Sequence, residues 1–305
     1  MSEHFLGKQN VHYRWNRALA PALEMASGDT VEFECHDSSG SQITRSSTLA
    51  DFLAMDRSLI HALTGPVFIK DAQPGDVLQV DVLKIQHQGW GWSSIAEGLG
   101  FLPDRFNKPF LFIWELEDDL TTSLFPAIIP LEPFAGIMGV APAASGEFPT
   151  RPPGVFGGNM DVRDLQAGST LYLPIWTEGA LFSTGDVHAA QGDGEICING
   201  IEAPANITLR FALRKDFSLA APMLHSPGRR AAGPEWIMVE SDPDPLAAAR
   251  AATNRMIDFL IARWGFSAEH AYILCSVLLQ LRLSQVVNAP LVTVSAAIPT
   301  STLPT

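Results

Sequence analysis

Eleven residues, Gly185 to Glu195 (GDVHAAQGDGE), gather four groups able to bind a metal or move a proton: Asp186, His188, Asp193 and Glu195. Gln191 adds a neutral amide. Asp186 and His188 are two apart, so on an extended strand they face the same side. Asp193 and Glu195 repeat that spacing after a Gln191–Gly192 turn. Gly192 and Gly194 permit the left-handed backbone that a tight turn takes. Two strand ends joined in this way aim an imidazole and a carboxylate at two further carboxylates. The donor set is nitrogen and oxygen, suited to a hard or borderline divalent ion. The same residues also read as a solvated hairpin tip, since Asp and Gly dominate turns. The motif alone leaves both readings open.

Strands must carry such a site, and the chain supplies them. Thr30 to His36 alternates Val31, Phe33 and Cys35 against polar residues, which predicts a strand with one buried face. Val67–Lys70, the Leu78/Val80/Val82 alternation, Phe110–Leu116, Gly168–Trp176 and the Ile207/Leu209/Phe211/Leu213 alternation read the same way, with Pro174 marking an edge position or a strand end. A short helix is expected from Leu49 to Ala62. Residues 86–130 are rich in aromatics, read as core before pocket wall. Residues 131–161 hold too much Pro and Gly for regular structure and are expected to form a long functional loop. It ends in Gly157-Gly158-Asn159-Met160-Asp161, where close backbone approach and a carboxylate coincide. Near the C-terminus the period changes. Asp244 followed by Pro245 caps a helix over 246–264 that stops at Gly265, and Ser267 caps a second, running to about Leu281. Leu283 to Val287 reads as a last strand, and the final IPTSTLPT as a frayed tail.

Composition narrows the function. The 305 residues are 47% hydrophobic and 17% charged, which describes a globular chain with a sizeable core. A length of this kind suggests two parts, here 1–165 and 166–305, or one intertwined unit. A net charge of −13 argues against nucleic-acid binding. It also disfavours an anionic substrate, unless the site has its own positive charge. Three cysteines far apart, Cys35, Cys197 and Cys275, make neither a disulfide framework nor a zinc knuckle. With no apolar leader and no run long enough to span a bilayer, a cytoplasmic setting without membrane contact is expected. No GxGxxG, P-loop or G-x-S-x-G occurs.

GVAPA, GGNMD, the GSTLYLP strand and GALFSTGDVHAAQGDGEICINGIE together resemble the acetamidase/formamidase family. His12-Tyr-x-Trp15, Gly28-Asp29-x-Val31, Thr64-Gly65-Pro66, Pro74-Gly75-Asp76, Ala271-Tyr272 and Ser284-Gln285-Val286-Val287 follow in the same order, so the resemblance covers nearly the whole chain. It implies a mainly β (α+β) fold of sandwich and barrel-like parts with the two helices at the end. It also implies hydrolysis of a short aliphatic amide, a divalent metal, and a homodimer or higher homo-oligomer. Asp71, Ile198-Asn199 and Leu278-Leu279-Gln280 depart from the usual family pattern and bear on substrate choice.

Amide hydrolysis needs a strong nucleophile, a stabilised oxyanion and a proton for the leaving amine. A Ser-Ser-Lys route lacks its Gly/Ser-rich signature. A Glu-Lys-Cys route would draft Cys197, which reads as strand packing between Ile196 and Ile198 with no lysine near. A metal route remains. For it the expected ligands are Asp161, Asp186 and His188, with His61 as a weaker candidate. Glu195 is a ligand or general base, and Asn159 and Gln191 are expected to hold the substrate. The metal is expected to be zinc, with calcium second, and the substrate a small neutral amide. Two other classes stand beside this: a cupin-type metal oxygenase barrel using His188 and Glu195, and a non-catalytic binding relative, which Gln280 favours.

Overall fold

The computed structural model describes residues 1–228 and 233–304. Two β-sheets face each other. The larger has nine strands, in the order Glu3–Leu6, Thr30–Cys35, Ala205–Arg214, Val77–His87, Thr170–Pro174, Met223–Ser226, Glu235–Asp242, Val292–Pro299 and Gln280–Gln285. The smaller runs Gly157–Asn159, Phe134–Gly139, Phe182–His188, Leu63–Ile69 and Val11–His12, with Leu23–Met25 also paired to Leu63–Ile69. Both sheets take strands from either side of position 165. Neither closes into a barrel, so the cupin-type alternative has no scaffold here.

The alternation in Thr30–Cys35 does what period two demands. Val31, Phe33 and Cys35 are fully buried while Thr30, Glu32 and Glu34 are half-buried. Phe33 and Phe211 from the large sheet meet Phe182 from the small one, edge-to-face, with ring centroids 5.0–6.2 Å apart. This cluster joins the two layers into a sandwich. On the outer face of the large sheet lie the helices Pro245–Trp264 and Ala268–Leu278. Met256, Leu260 and Ala271 pack there against Ala296 and Ile298. Both caps form as expected: the Asp244 side chain accepts from Leu246 N, the Ser267 side chain from His270 N, and Gly265 closes the first helix at φ 70°.

Five expectations differ. Residues 131–161 are not one loop, because Phe134–Gly139 and Gly157–Asn159 are buried strands of the small sheet. Both their faces are covered, so no alternation marks them. The expected frayed tail begins inside a strand: Ile298 and Pro299 end Val292–Pro299, which is buried and hydrogen-bonded on both sides, and a 3-10 turn at Thr300–Thr302 and the buried Leu303 follow. The strand's last residues are small or apolar and fill the space beneath the first C-terminal helix. Cys197 is not strand packing; it lies in an exposed turn after the strand Phe182–His188 has ended. The 49–62 helix spans only Leu49–Ala54, with a 3-10 turn at Arg57–Leu59. The aromatic stretch holds a hairpin, Trp90–Ile95 with Phe110–Glu115, whose Trp92 is buried against Phe52.

Candidate functional site

The strand Phe182–His188 lies at the middle of the small sheet, and its last turn of pleat brings Asp186 and His188 together. His188 Nε2 is 3.6 Å from Asp186 Oδ1 and 3.0 Å from Glu202 Oε1. Asp161 arrives from the segment following Gly157–Asn159, the neighbouring strand but one. Its Oδ2 accepts from Asn288 Nδ2. Glu195 is carried on the loop beyond His188. That loop is pinned where Gly194 N donates to Ser284 O at 3.1 Å and Val286 N to Gly194 O at 3.1 Å. Two sets of ligand atoms result, Asp161/Asp186/His188 and His188/Glu195/Glu202, each within 4.8 Å and sharing one imidazole. All five side chains are buried.

Gln191 sets the tautomer of that imidazole. Its Nε2 donates to the backbone oxygens of Asp161 (3.0 Å) and Ser284 (3.2 Å), so its Oε1 must face His188. His188 Nδ1 therefore donates to Gln191 Oε1 at 2.6 Å. The Nε2 lone pair is left pointing at the oxygens of Asp186 and Glu202. Lone pair against carboxylate repels, so a cation, proton or metal, must sit among the three. The expected substrate-binding role of Gln191 thus gives way to a positioning one, because both ends of its amide are occupied by the protein.

Asp161 Oδ1, Asp186 Oδ1, Glu195 Oε2, Glu202 Oε2 and Asn159 Oδ1 are buried with no hydrogen-bond partner in the protein. Several unsatisfied oxygens in one place are costly unless a cation or a ligand uses them. The set fits a divalent ion, with oxygens and one imidazole as donors. The backbone adds a second sign. Asp161, Asp186 and Glu195 have φ of 49°, 55° and 50°, and His61 has 55°. Left-handed backbone at a residue other than glycine costs about 1 kcal/mol or more, and such strain gathers at functional sites.

Burial pushes Asp161 and Glu202 up to about 7 and holds Glu195 well above its ordinary value. Burial opposes charge on Asp186 too, but His61 and His188 outweigh it and bring it down to about 2. Burial likewise opposes charge on His188, yet Glu202 and Asp186 hold it well above 6.5. Without a metal, then, the folded site binds more protons than the unfolded chain near neutrality. Raised groups stabilise below their unfolded values and lose that stabilisation as pH rises through the folded ones. Metal-free protein is expected to melt several degrees lower at about pH 8 than at about pH 5.5, and a saturating divalent ion to shrink the difference. Thermal melts after chelation check this; a melting temperature that rises with pH would contradict it.

Asp186, Glu195 and Glu202 border an inner chamber of about 60 Å³, lined also by His61, Asn159, Trp92 and Asn288. His61 faces the chamber without joining either ligand set. Burial lowers its pKa, so it is neutral. Asp193 lies outside, 3.2 Å from Arg163 Nε. Glu202 and Asn288 are the residues that sequence reasoning missed. Glu202 closes the 24-residue block that carries the resemblance, and Asn288 follows directly on Ser284-Gln285-Val286-Val287.

The profile of the acetamidase/formamidase family matches residues 2–146 and 143–304. The chain is 27% identical to the acetamidase of Mycolicibacterium smegmatis, over 86% of this chain and 84% of that one. It superposes on the crystal structure of an acetamidase from Bacillus halodurans with a TM-score of 0.89 and 33% identity, covering 96% of each chain. A predicted acetamidase/formamidase from Thermoanaerobacter tengcongensis gives 0.92 and 28%, covering 99% of this chain and 98% of that one. With the profile running almost end to end and the fold shared at this level, the chain belongs to the acetamidase/formamidase family of amidases.

Proposed function

We propose that the chain hydrolyses a short aliphatic amide, acetamide or formamide at its simplest, to the carboxylate and ammonia. Asp161, Asp186 and His188 would hold a divalent ion, zinc before calcium. The observation that carries this is the His188 Nε2 lone pair set between Asp186 and Glu202, a geometry that calls for a cation. Such an ion supplies Lewis acidity, polarising a carbonyl and acidifying water.

The chain's own residues do the rest. Glu195, whose Oε2 has no protein partner, takes a proton from the attacking water and returns it to the leaving nitrogen. Its raised pKa suits it to hold a proton near neutrality. Asn159, with a free buried Oδ1, orients the amide by accepting from its NH₂ group. Neutral His61 offers a further hydrogen bond at the chamber mouth. The chamber admits only a small group, and its carboxylates repel an anion, so the reacting end of the substrate is small and neutral. Cys197 takes no part: it sits in an exposed turn, and desolvation raises its thiol pKa, away from the reactive thiolate.

Ammonia release from formamide and acetamide, with elemental analysis and a chelator arm, tests the scheme. Release that is unchanged after complete metal removal would defeat the metal assignment, and no release from any short amide would defeat the reaction. The free thiols Cys35, Cys197 and Cys275 agree with a cytoplasmic setting. Among the described residues no helix is long and apolar enough to cross a membrane.

Self-association rests on a separate surface. Tyr272, Ile273 and Val277 on the last helix, and Leu281 and Leu283 on the edge strand Gln280–Gln285, are 47–73% exposed. Contiguous apolar surface beside an open strand edge favours a second copy of the chain. Light scattering is expected to give a dimer or larger, and Val277→Glu to reduce the mass. A monomeric parent protein would rule this out.

A further inference from the structure

The inner chamber opens into an outer cavity of about 520 Å³, and Phe52, Arg57, Ile60, His61, Leu99 and Arg151 line both. The two spaces differ in charge. The chamber holds Asp186, Glu195 and Glu202, whereas the outer cavity holds three arginines, Arg14, Arg57 and Arg151, and one acid, Glu97. In a chain of net charge −13 this is a local reversal of sign.

Among the described residues none of these three arginines has a carboxylate within 4 Å. Arg45, Arg163, Arg210, Arg214, Arg255 and Arg282 each have a carboxylate within 4 Å. Among the described residues Arg17, Arg105, Arg250 and Arg263 have none either, as with Arg14, Arg57 and Arg151, but only Arg57 and Arg151 line both spaces. Arg57 is held in place by the helix end beneath it, its guanidinium 4.7 Å over the Phe52 ring and its Nη2 donating to Phe52 O at 3.5 Å. Burial lowers its pKa and Arg151 lowers it further, so the two cations stand close enough to repel. Arg151 is half-buried beside the same passage. Were these residues there to neutralise the chamber, they would pair with its carboxylates. They line instead the passage between the two spaces, with planar donor forks that no protein acid fills.

We propose that the substrate is the half-amide of a short dicarboxylic acid, with its amide in the chamber and its carboxylate on Arg57 and Arg151. This deepens the amidase reading and rests on it. The step balances simply. Water adds to the amide carbon, the C–N bond breaks, both protons of the water pass to nitrogen, and a dicarboxylate and ammonium leave. A new anion then appears among the chamber's carboxylates, which favours its departure. The expectation of a wholly neutral substrate came from net charge, and the positive charge at the mouth supplies the exception.

The test pairs each half-amide with its diamide, which keeps the shape and removes the charge: malonamate with malonamide, succinamate with succinamide, glutaramate with glutaramide. At least one half-amide is expected to have a kcat/KM about tenfold above its diamide, mostly through KM. In Arg57→Gln/Arg151→Gln the ratio should fall to about one, and Arg151→Lys alone should keep part of the preference. A ratio of one or less in the parent for all three pairs, or the same ratio in the double variant, overturns the proposal. Acetamide in parallel reports the amidase reading separately. If no amide at all is turned over, calorimetry with succinate decides. Binding that weakens about tenfold in the double variant keeps the anion site, and equal or absent binding in both proteins ends it. Thermal melts of the single variants identify any loss of fold.

Discussion

His188→Ala is expected to lose both its metal and its turnover while the protein stays folded. The imidazole is the one nitrogen shared by the two ligand sets, so removing it weakens both at once. Gln191 Oε1, which fixes its Nδ1, then loses that partner, and the oxygens of Asp186 and Glu202 face each other without the group between them. Metal affinity should fall by at least about a hundredfold, more than is typical for removing a supporting hydrogen bond alone. Weak binding by the remaining oxygens at high metal concentration is compatible with this. The fold should survive because the inter-sheet core, Phe33, Phe182 and Phe211, and the helical cluster around Met256 do not depend on this ring. The ring's edge-to-face contact with Phe134 at 5.2 Å is a local loss of about 1 kcal/mol. Glu195→Gln is the control. It is isosteric, so as a proton carrier Glu195 should leave metal content close to the parent's while turnover collapses. Elemental analysis, ammonia release and circular dichroism on both variants decide. A His188→Ala protein with parental metal content and parental amide hydrolysis would sink the scheme.

What the sequence discloses depends on how locally each feature is determined. Asp186 and His188 are legible because a strand puts residues two apart on one face. The C-terminal helices are legible because Asp244, Pro245, Gly265 and Ser267 terminate them by their own chemistry. Glu202 is not. It reaches His188 because the chain returns beside the strand it has just left, with Ala189 N bonded to Ile201 O and Ala203 N to Val187 O. The thirteen-residue return between His188 and Glu202 has no fixed period to read. Asn288 is less accessible still, 127 positions from the Asp161 it contacts. Gln191 is visible as a residue but not as a role, since its three partners come from three separate segments. The buried strands Phe134–Gly139 and Val292–Pro299 escape because a strand covered on both faces loses its alternation, and glycine or alanine within it resembles a loop. The arginines of the outer cavity lie far apart in sequence, at 14, 57 and 151. Only the fold collects them.

Gly136→Ala is expected to damage the site as severely as loss of a ligand, though it deletes nothing. A Cβ at Gly136 would lie 2.5 Å from Asp161 Oδ1, 2.8 Å from the Asp186 backbone oxygen and 3.3 Å from Asp186 Oδ2. The first two contacts are far inside van der Waals separation, so something must move. The strand Phe134–Gly139 has little freedom to retreat, being paired to Gly157–Asn159 on one side and to Phe182–His188 on the other. Ile137 next to it is in register with both Asn159 and Gly185, which locks the height of Gly136 against Asp186. The yielding atoms are therefore the Asp161 carboxylate and the Asp186 backbone, whose φ of 55° is already strained. Overpacking of this kind costs about 1–3 kcal/mol of stability. Displacing two carboxylates by a sizeable fraction of an ångström should lower turnover by about a hundredfold or more and weaken metal retention with it. Gly192→Ala supplies the contrast within the motif itself: no atom lies within 4 Å of its Cβ position, so activity and melting temperature should match the parent. Measured side by side, the two alanines separate a glycine required by close approach from one with open space around it and no left-handed backbone. Parental metal content and parental turnover in Gly136→Ala would show that Asp161 and Asp186 do not form the working site.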